Sequence, residues 1–214
     1  MSDAADGGGA LRVAVLASGN GTNLQALLDG PHAAGTAEVV GVASDKAGAR
    51  ALERAAGAGV ATAVFPRADY ADREERDLAI AAWLDELGAE LVVLAGYMQL
   101  LSGAFIRRFP ARIINVHPAL LPSFPGLDAI GQAYAHGVRV TGVTVHFVDE
   151  GVDTGPILLQ RAVEIRGGQS REQLEDEIHA VEHELLPHAV ELFARGAVAV
   201  DPANPRSVRI DQPG

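Results

Sequence analysis

The segment Leu11–Ala17, Leu-Arg-Val-Ala-Val-Leu-Ala, is apolar almost throughout, and no other stretch restricts the fold so strongly. A strand with one wet face alternates apolar and polar residues. A run without alternation suits a central strand of a parallel sheet, buried on both faces. Further short apolar runs follow at Val39–Ala43, Ala61–Phe65, Leu91–Leu94 and Arg112–Val116. Between them lie helical patterns: one starting near Leu24, an Ala-rich stretch Ala49–Ala58, and a charged stretch from about Tyr70 to Leu87. In the last, Ile80, Trp83, Leu84 and Leu87 keep the spacing of one buried stripe. This alternation predicts an α/β fold, a doubly wound, mostly parallel sheet with helices on both faces.

After a predicted helix at Asp128–Gly137 the pattern changes. Val138–Val148 and Ile157–Ile165 read as longer strands, a C-terminal antiparallel addition to the sheet, joined by the loop Asp149–Pro156. A long helix is predicted from about Ser170 to Arg195, with Ser170 as N-cap, Gln173 in the capping-box position and a kink at Pro187. No repeat or low-complexity linker divides the chain. The expectation is one domain over residues 11–200, with a nucleotide-binding half of about 11–110 and a catalytic half of about 111–200. Residues 1–10 and 202–214 are expected to be mobile tails.

Composition removes several function classes. There is no cysteine, hence no disulfide, thiol nucleophile or thiolate metal site. A formal net charge of -11 tells against a duplex or tRNA partner, which selects clustered Lys and Arg. A small anion can still be held by a few local donors. The first ten residues lack the basic region and apolar core of a signal peptide. No run approaches the roughly 18 apolar residues of a membrane span. The expected protein is cytoplasmic, with no membrane partner, and a monomer or homodimer.

Two places carry chemistry. Ser18-Gly19-Asn20-Gly21-Thr22-Asn23 turns the first strand into a helix, and its glycines and successive N–H groups suit one terminal phosphate. As a dinucleotide fingerprint it is weak, because Leu24 stands in place of the third glycine. Its bland reading is a tight strand–helix turn. The second place is Asn115-Val116-His117-Pro118, where a buried strand stops at a proline. Residues two apart share a side of a strand, so Asn115 and His117 present an amide donor beside an imidazole at the sheet end where open α/β sheets bind ligands. Such a pair suits an oxyanion forming at a carbonyl carbon. Asp153, on the Gly-containing loop, is expected to raise the pKa of His117 by favouring its charged form. Taken singly, Asn115 could satisfy a strand end, His117 could be a core histidine, and Asp153 could organise an Asx-turn with Thr154 and Gly155.

The segments Ser18–Ala26, Val93–Met98, Asn115–Gly126 and Gly142–Val148 through Asp153–Pro156, taken in order, resemble the phosphoribosylglycinamide formyltransferases, folate-dependent transformylases of purine synthesis. The resemblance runs from about Val13 to Arg195. It implies two small-molecule substrates, glycinamide ribonucleotide and 10-formyltetrahydrofolate, and no metal. Asn115, His117 and Asp153 match the catalytic trio of that family. Gly21, Thr22 and Asn23 would hold the phosphate, and Glu182 the ribosyl-glycinamide side. Arg73, the loop Met98, Gln99, Leu100 and Leu101, and the loop Asp149, Glu150, Gly151, Val152 and Asp153 would frame the folate. The chain departs from the commoner family wording at Gln99, Ala119, Ser123 and Asp128-Ala129-Ile130.

Other readings remain on the sequence. His179-Ala180-Val181-Glu182-His183 spells HxxEH, an inverted zinc motif, though a Glu/His-rich amphipathic helix produces the same letters. A formyltetrahydrofolate hydrolase or a methionyl-tRNA formyltransferase shares the Asn/His/Asp chemistry, but each carries an additional domain. A non-enzymatic nucleotide-binding protein would need the glycine turn alone. His32, His136, His146 and His188 have no spacing that singles them out.

Overall fold

The computed structural model describes residues 9–211. Five strands, β1 (Leu11–Leu16), β2 (Ala37–Ser44), β3 (Ala61–Val64), β4 (Leu91–Leu94) and β5 (Ile113–His117), run parallel; β6 (Val140–Phe147) adds antiparallel to β5, and β7 (Ile157–Glu164) antiparallel to β6. Their order is β3-β2-β1-β4-β5-β6-β7. The chain therefore starts in the middle, moves outward to β3, then crosses to the other side of β1. The crevice beyond the carboxyl ends of β1 and β4 is the switch point at which such sheets bind ligands.

Period-two alternation along each strand feeds two cores. From β1, Val13 and Val15 face one side and meet α1 (Thr22–Leu27) through Leu24 and Leu27, and α2 (Arg50–Gly57) through Ala51 and Ala55. Ala14 and Leu16 face the other, with α3 (Arg73–Glu86) through Ile80 and Leu84 and α4 (Gly103–Arg108) through Phe105. The first face is completed by Ile130 of α5 (Ala129–His136) and Leu174, Ile178 and Leu186 of α6 (Arg171–Ala194). Helices thus cover both faces, as the continuous apolar strands require. Truncating one of the fully buried leucines to alanine would cost roughly 2–5 kcal/mol. Gly41 of β2 admits the α3 stripe: a Cβ there would lie 2.4 Å from Leu87 Cδ1 and 2.8 Å from Trp83 Cη2.

Helix ends follow local capping. α3 starts at Arg73 rather than Tyr70 because the Asp72 carboxylate accepts the Glu75 N–H at 2.9 Å. At the start of α6, Ser170 and Gln173 form the reciprocal capping box. At Pro187, where a kink is expected, α6 continues as one element to Ala194. Leu185, Leu186, Ala189 and Val190 are buried on either side of the proline. The short helix α4, capped by Ser102, has no counterpart in the periodicity reading.

The mobile tail expected from residue 202 also needs correction. β8 (Val198–Val200) pairs antiparallel with β9 (Val208–Ile210), and their apolar side chains pack on the first core. In the connecting turn Arg206 donates from Nη2 to the carbonyl of Thr154 at 2.9 Å. The rest of the tail expectation, at residues 1–8 and 212–214, lies outside the described residues. Among the described residues no helix is long and apolar enough to cross a membrane.

Candidate active site

A cavity of about 790 Å³ opens beyond the carboxyl ends of β1, β4 and β5. It is lined by Gly19–Asn23, Ala95–Leu100, Asn115–Pro118, Gly126–Ile130, Val152 and Asp153, and by Glu175, His179 and Glu182 of α6. A second cavity of about 220 Å³ lies next to it, lined by Arg73, Gln99, Leu100, Leu101, Ile106, Val148 and Asp149–Asp153 among others. Tyr97, Gln99, Leu100, Asn115, Val152 and Asp153 border both. A polar groove of about 460 Å³ along Arg166–Gln169, Gln173, Asp176 and Glu177 touches none of these side chains.

The trio Asn115, His117 and Asp153 meets on the shared wall. Asp153 Oδ2 lies 3.4 Å from His117 Nδ1 and accepts the Gly126 N–H at 2.8 Å. Asp153 Oδ1 is 3.5 Å from Asn115 Nδ2. Its backbone is left-handed, φ 53°, which a short polar side chain tolerates better than most. The Asx-turn considered for Asp153 belongs instead to Asp149, whose Oδ1 accepts from the Gly151 N–H and the Thr154 hydroxyl at 3.1 and 2.6 Å.

A fourth side chain, His146, completes the group, although nothing in the sequence singled it out. The antiparallel β5–β6 register sets it directly opposite Asn115. Its Nδ1 is 2.8 Å from the Phe147 carbonyl, which can only accept, so Nδ1 carries the hydrogen. In the neutral ring Nε2 is then an acceptor, filled by Asn115 Nδ2 at 3.1 Å. Nε2 also lies 3.5 Å from Asp153 Oδ1. One amide hydrogen of Asn115 is thus committed to His146. The other has only the long 3.5 Å approach to Asp153 and is free to meet a ligand oxygen.

His117 follows the same logic. Its Nε2 is 2.8 Å from the Phe124 carbonyl and so carries the hydrogen, which leaves the Nδ1 lone pair of the neutral ring facing Asp153. The expectation that Asp153 raises the pKa of this imidazole meets a larger opposing effect. Burial pushes His117 below its ordinary value, against the pull of Asp153 and the Phe124 carbonyl. The resting imidazole at neutral pH is uncharged. For Asp153, desolvation pushes upward, but His146, the Gly126 N–H and His117 together outweigh it and hold the carboxyl below its usual range. A carboxylate beside a neutral imidazole is poised to stabilise a proton arriving at Nδ1.

The glycine turn and Glu182 come together from opposite ends of the sequence. Gly21 has φ 72°, and a Cβ on it would lie 2.7 Å from Ala51 Cα, so the turn tolerates no side chain there. Asn23 donates from Nδ2 to Glu182 Oε2 at 3.1 Å, while its own Oδ1 is buried without a partner. One hydrogen of the Asn23 amide is thus committed to Glu182, which leaves the second and the backbone N–H for a ligand oxygen. Burial pushes Glu182 upward, partly offset by Asn23 and His179.

The Met98–Leu101 loop is fixed from below. Met98 donates its N–H to Ser18 Oγ at 2.9 Å. Gln99 accepts from Arg76 at 3.3 Å and donates to Asp45 at 3.0 Å, and the buried Arg76–Asp77 pair holds the Ser102 N–H at 2.6 Å. Of the residues expected around a folate, Met98 lines the larger cavity, and Arg73, Gln99–Leu101 and Asp149–Asp153 the smaller. The HxxEH letters do not converge: His179 and His183 stack with ring centroids 6.5 Å apart, and Glu182 turns away to Asn23. Among the described residues no three His, Cys, Asp or Glu side chains form a metal-binding group.

Comparison with known proteins fits this geometry. The family model described as formyl transferase matches residues 11–190. The phosphoribosylglycinamide formyltransferase of Mycobacterium tuberculosis is 44% identical over 189 residues, covering 88% of this chain and 87% of that protein. The Bacillus subtilis protein of the same name is 40% identical over 180 residues, 84% and 92% of the two chains. The trifunctional purine biosynthetic protein adenosine-3 of Gallus gallus is 45% identical over 194 residues, but this chain spans only 19% of its length. Glycinamide ribonucleotide transformylase 1 from Symbiobacterium toebii superposes with a TM-score of 0.89 at 48% identity, covering 94% of each chain.

Proposed function

This chain belongs to the formyl transferase family, and from that premise we propose that it moves the formyl group of 10-formyltetrahydrofolate to the terminal amine of 5'-phosphoribosylglycinamide. The products are N-formylglycinamide ribonucleotide and tetrahydrofolate. The observation that carries the reading is the wall shared by the two cavities, where Asn115 and Asp153 border both and His117 adjoins. An amine held in the larger cavity and a formyl group entering from the smaller would meet there.

The second substrate supplies an activated formyl carbon, and the residues around the smaller cavity fit its chemistry. Leu100, Leu101, Ile106, Val148 and Val152 are apolar walls suited to a flat heterocycle, and Arg73 is a cation suited to a carboxylate tail. The loop Asp149–Asp153 closes the other side, with Glu150 held by Arg107 at 3.0 Å. Gly21, Thr22 and Asn23 suit the phosphate. Glu182, anchored by Asn23, suits the ribosyl-glycinamide side.

As the amine nitrogen bonds to the formyl carbon, negative charge builds on the formyl oxygen. The uncommitted Asn115 hydrogen donates to it. The proton lost by the attacking nitrogen passes to His117 Nδ1, directly or through a water, and Asp153 stabilises the imidazolium that results. The same proton returns to the folate nitrogen as its bond to carbon breaks. His146 keeps Asn115 in register and shares Asp153. No covalent enzyme intermediate and no metal enters this scheme. On the same reading the enzyme works in the cytoplasm, as a monomer or homodimer.

The test is a spectroscopic assay for the folate product with glycinamide ribonucleotide present or omitted. Turnover only with the amine supports transfer. Equal turnover without it would mean hydrolysis and refute the proposal.

A further inference from the structure

The residues between β8 and β9, polar and proline-rich in sequence, form a fixed turn. Asp201 Oδ1 accepts the Ala203 N–H at 2.8 Å, and Asn204 Oδ1 accepts the Arg206 N–H at 3.2 Å, two successive Asx-turns. The backbone closes around them: the Asp201 N–H donates to the Ser207 carbonyl and the Ser207 N–H to the Asn204 carbonyl, both at 2.8 Å. The two strands beneath pack Val198, Val200, Val208 and Ile210 on the first core, so the turn stands on a partly buried base.

Arg206 carries that order to the loop that holds Asp153. Its Nη2 donates to the Thr154 carbonyl at 2.9 Å, bridging 52 residues of sequence. Arg206 lines neither cavity, so its contact is with the loop and not with a ligand. Thr154 directly follows Asp153, whose left-handed backbone at φ 53° persists only when its neighbours hold it. On the far side of Thr154, Gly155 is pressed against the end of β6, where a Cβ would collide with the Phe147 carbonyl oxygen. The Thr154 hydroxyl is committed to Asp149 Oδ1 at 2.6 Å, and its carbonyl is taken by the guanidinium. Two arginines thus grip the loop from different elements, Arg107 of α4 at Glu150 and Arg206 at the peptide after Asp153. A small rotation of that peptide would swing the Asp153 carboxylate off the His117 Nδ1 it now approaches to 3.4 Å.

We propose that Arg206 is a positioning residue for the reaction: by holding the Thr154 carbonyl it fixes the backbone beyond Asp153 and keeps the carboxylate on the His117 imidazole. This rests on the transfer reading above and deepens it, since it makes the hairpin after α6 part of the framework of the site.

The experiment compares wild type, Arg206→Ala and Arg206→Lys, each also in the Asp153→Asn background. Arg206 is exposed, so the variants retain the fold, which circular dichroism checks. The expected result for Arg206→Ala is a fall in kcat of about five- to tenfold, the scale of one charge-assisted hydrogen bond at the surface. The ribonucleotide KM stays unchanged, and the acid limb of the kcat–pH profile moves down, in the direction expected for Asp153→Asn. Lys, which keeps a charged donor, restores most of the loss. In the Asp153→Asn background Arg206→Ala changes kcat by less than about twofold, because the charge it positions is already gone. Amide exchange across residues 149–155 speeds up in Arg206→Ala, while exchange in β1 and β4 does not. A kcat within about twofold of wild type, a change confined to the folate KM, unaltered exchange in the loop, or full additivity with Asp153→Asn overturns the proposal. If loop exchange speeds up as expected but the wild type forms no formylated ribonucleotide, the transfer reading fails and the hold of Arg206 on the loop stands.

Discussion

Replacing Asp153 by asparagine removes one negative charge and little else. The amide retains an oxygen for the Gly126 N–H, now 2.8 Å from Asp153 Oδ2, and the left-handed backbone at φ 53° suits asparagine as well as aspartate. What disappears is the attraction between the carboxylate and a proton on His117 Nδ1, 3.4 Å away. Two unit charges about 4 Å apart at an effective dielectric constant of about 20 attract by about 4 kcal/mol. The cavity is open to water, and screening by half leaves about 2 kcal/mol. Expressed in the transition state, that range predicts a fall in kcat of roughly 30- to 1,000-fold. The same loss leaves burial less opposed, so the His117 titration moves further down, and the acid limb of the kcat–pH profile moves with it. The folate-product assay across pH 5 to 9, paired with ring-proton NMR of His117, reads both effects. A fall of less than about fivefold, or a His117 titration unmoved by the substitution, would refute the argument that Asp153 acts through its charge on this imidazole.

Asn115→Ala removes the uncommitted amide hydrogen and should lower kcat by about 10²–10³. Its cost in stability should be about 1 kcal/mol, since His146 loses one hydrogen bond; kinetics and a melting curve on one preparation check both. Acid should destabilise the fold in two steps. His117 and His183 have lowered values in the folded chain, so the unfolded chain binds more protons as pH falls through about 6.5, and stability drops there. Asp153 has a lowered value too, so its contribution is present above about 3.9 and is lost as pH falls through its folded value. Thermal midpoints at pH 8, 7, 6 and 5 should decline over the lower interval, and His117→Gln should flatten that decline in part.

The central strands were legible because continuous apolar runs admit few alternatives, and Asn115 and His117 were legible because a proline ended such a run. His146 was not. Flanked by Val145 and Phe147, it reads as a core histidine, and its place opposite Asn115 depends on an antiparallel register that no local pattern encodes. The direction of the His117 shift was missed for a related reason. A neighbouring carboxylate can be inferred from motif order, but the degree of burial emerges only when β5, β6 and the 118–128 segment pack together. Gln99 is similar: its partners Arg76 and Asp45 lie 23 and 54 residues away and meet it through the fold alone. Strand β9 was hidden by three short residues among prolines and polar turns, too little sequence to show a period.

The pairing of Asn115 with His146 across β5 and β6 divides the chain into parts that tolerate length changes and parts that do not. Residues can be gained or lost at the turn Gly137–Arg139 that joins α5 to β6, and the two strands still align. A single residue inserted within β6 ahead of His146 reverses the facing of every side chain beyond it. The imidazole would then turn into the opposite layer and leave Asn115 and Asp153 on the cavity side. Evolution or an engineer can vary the length of the turn before β6, while the phase of the strand itself stays locked.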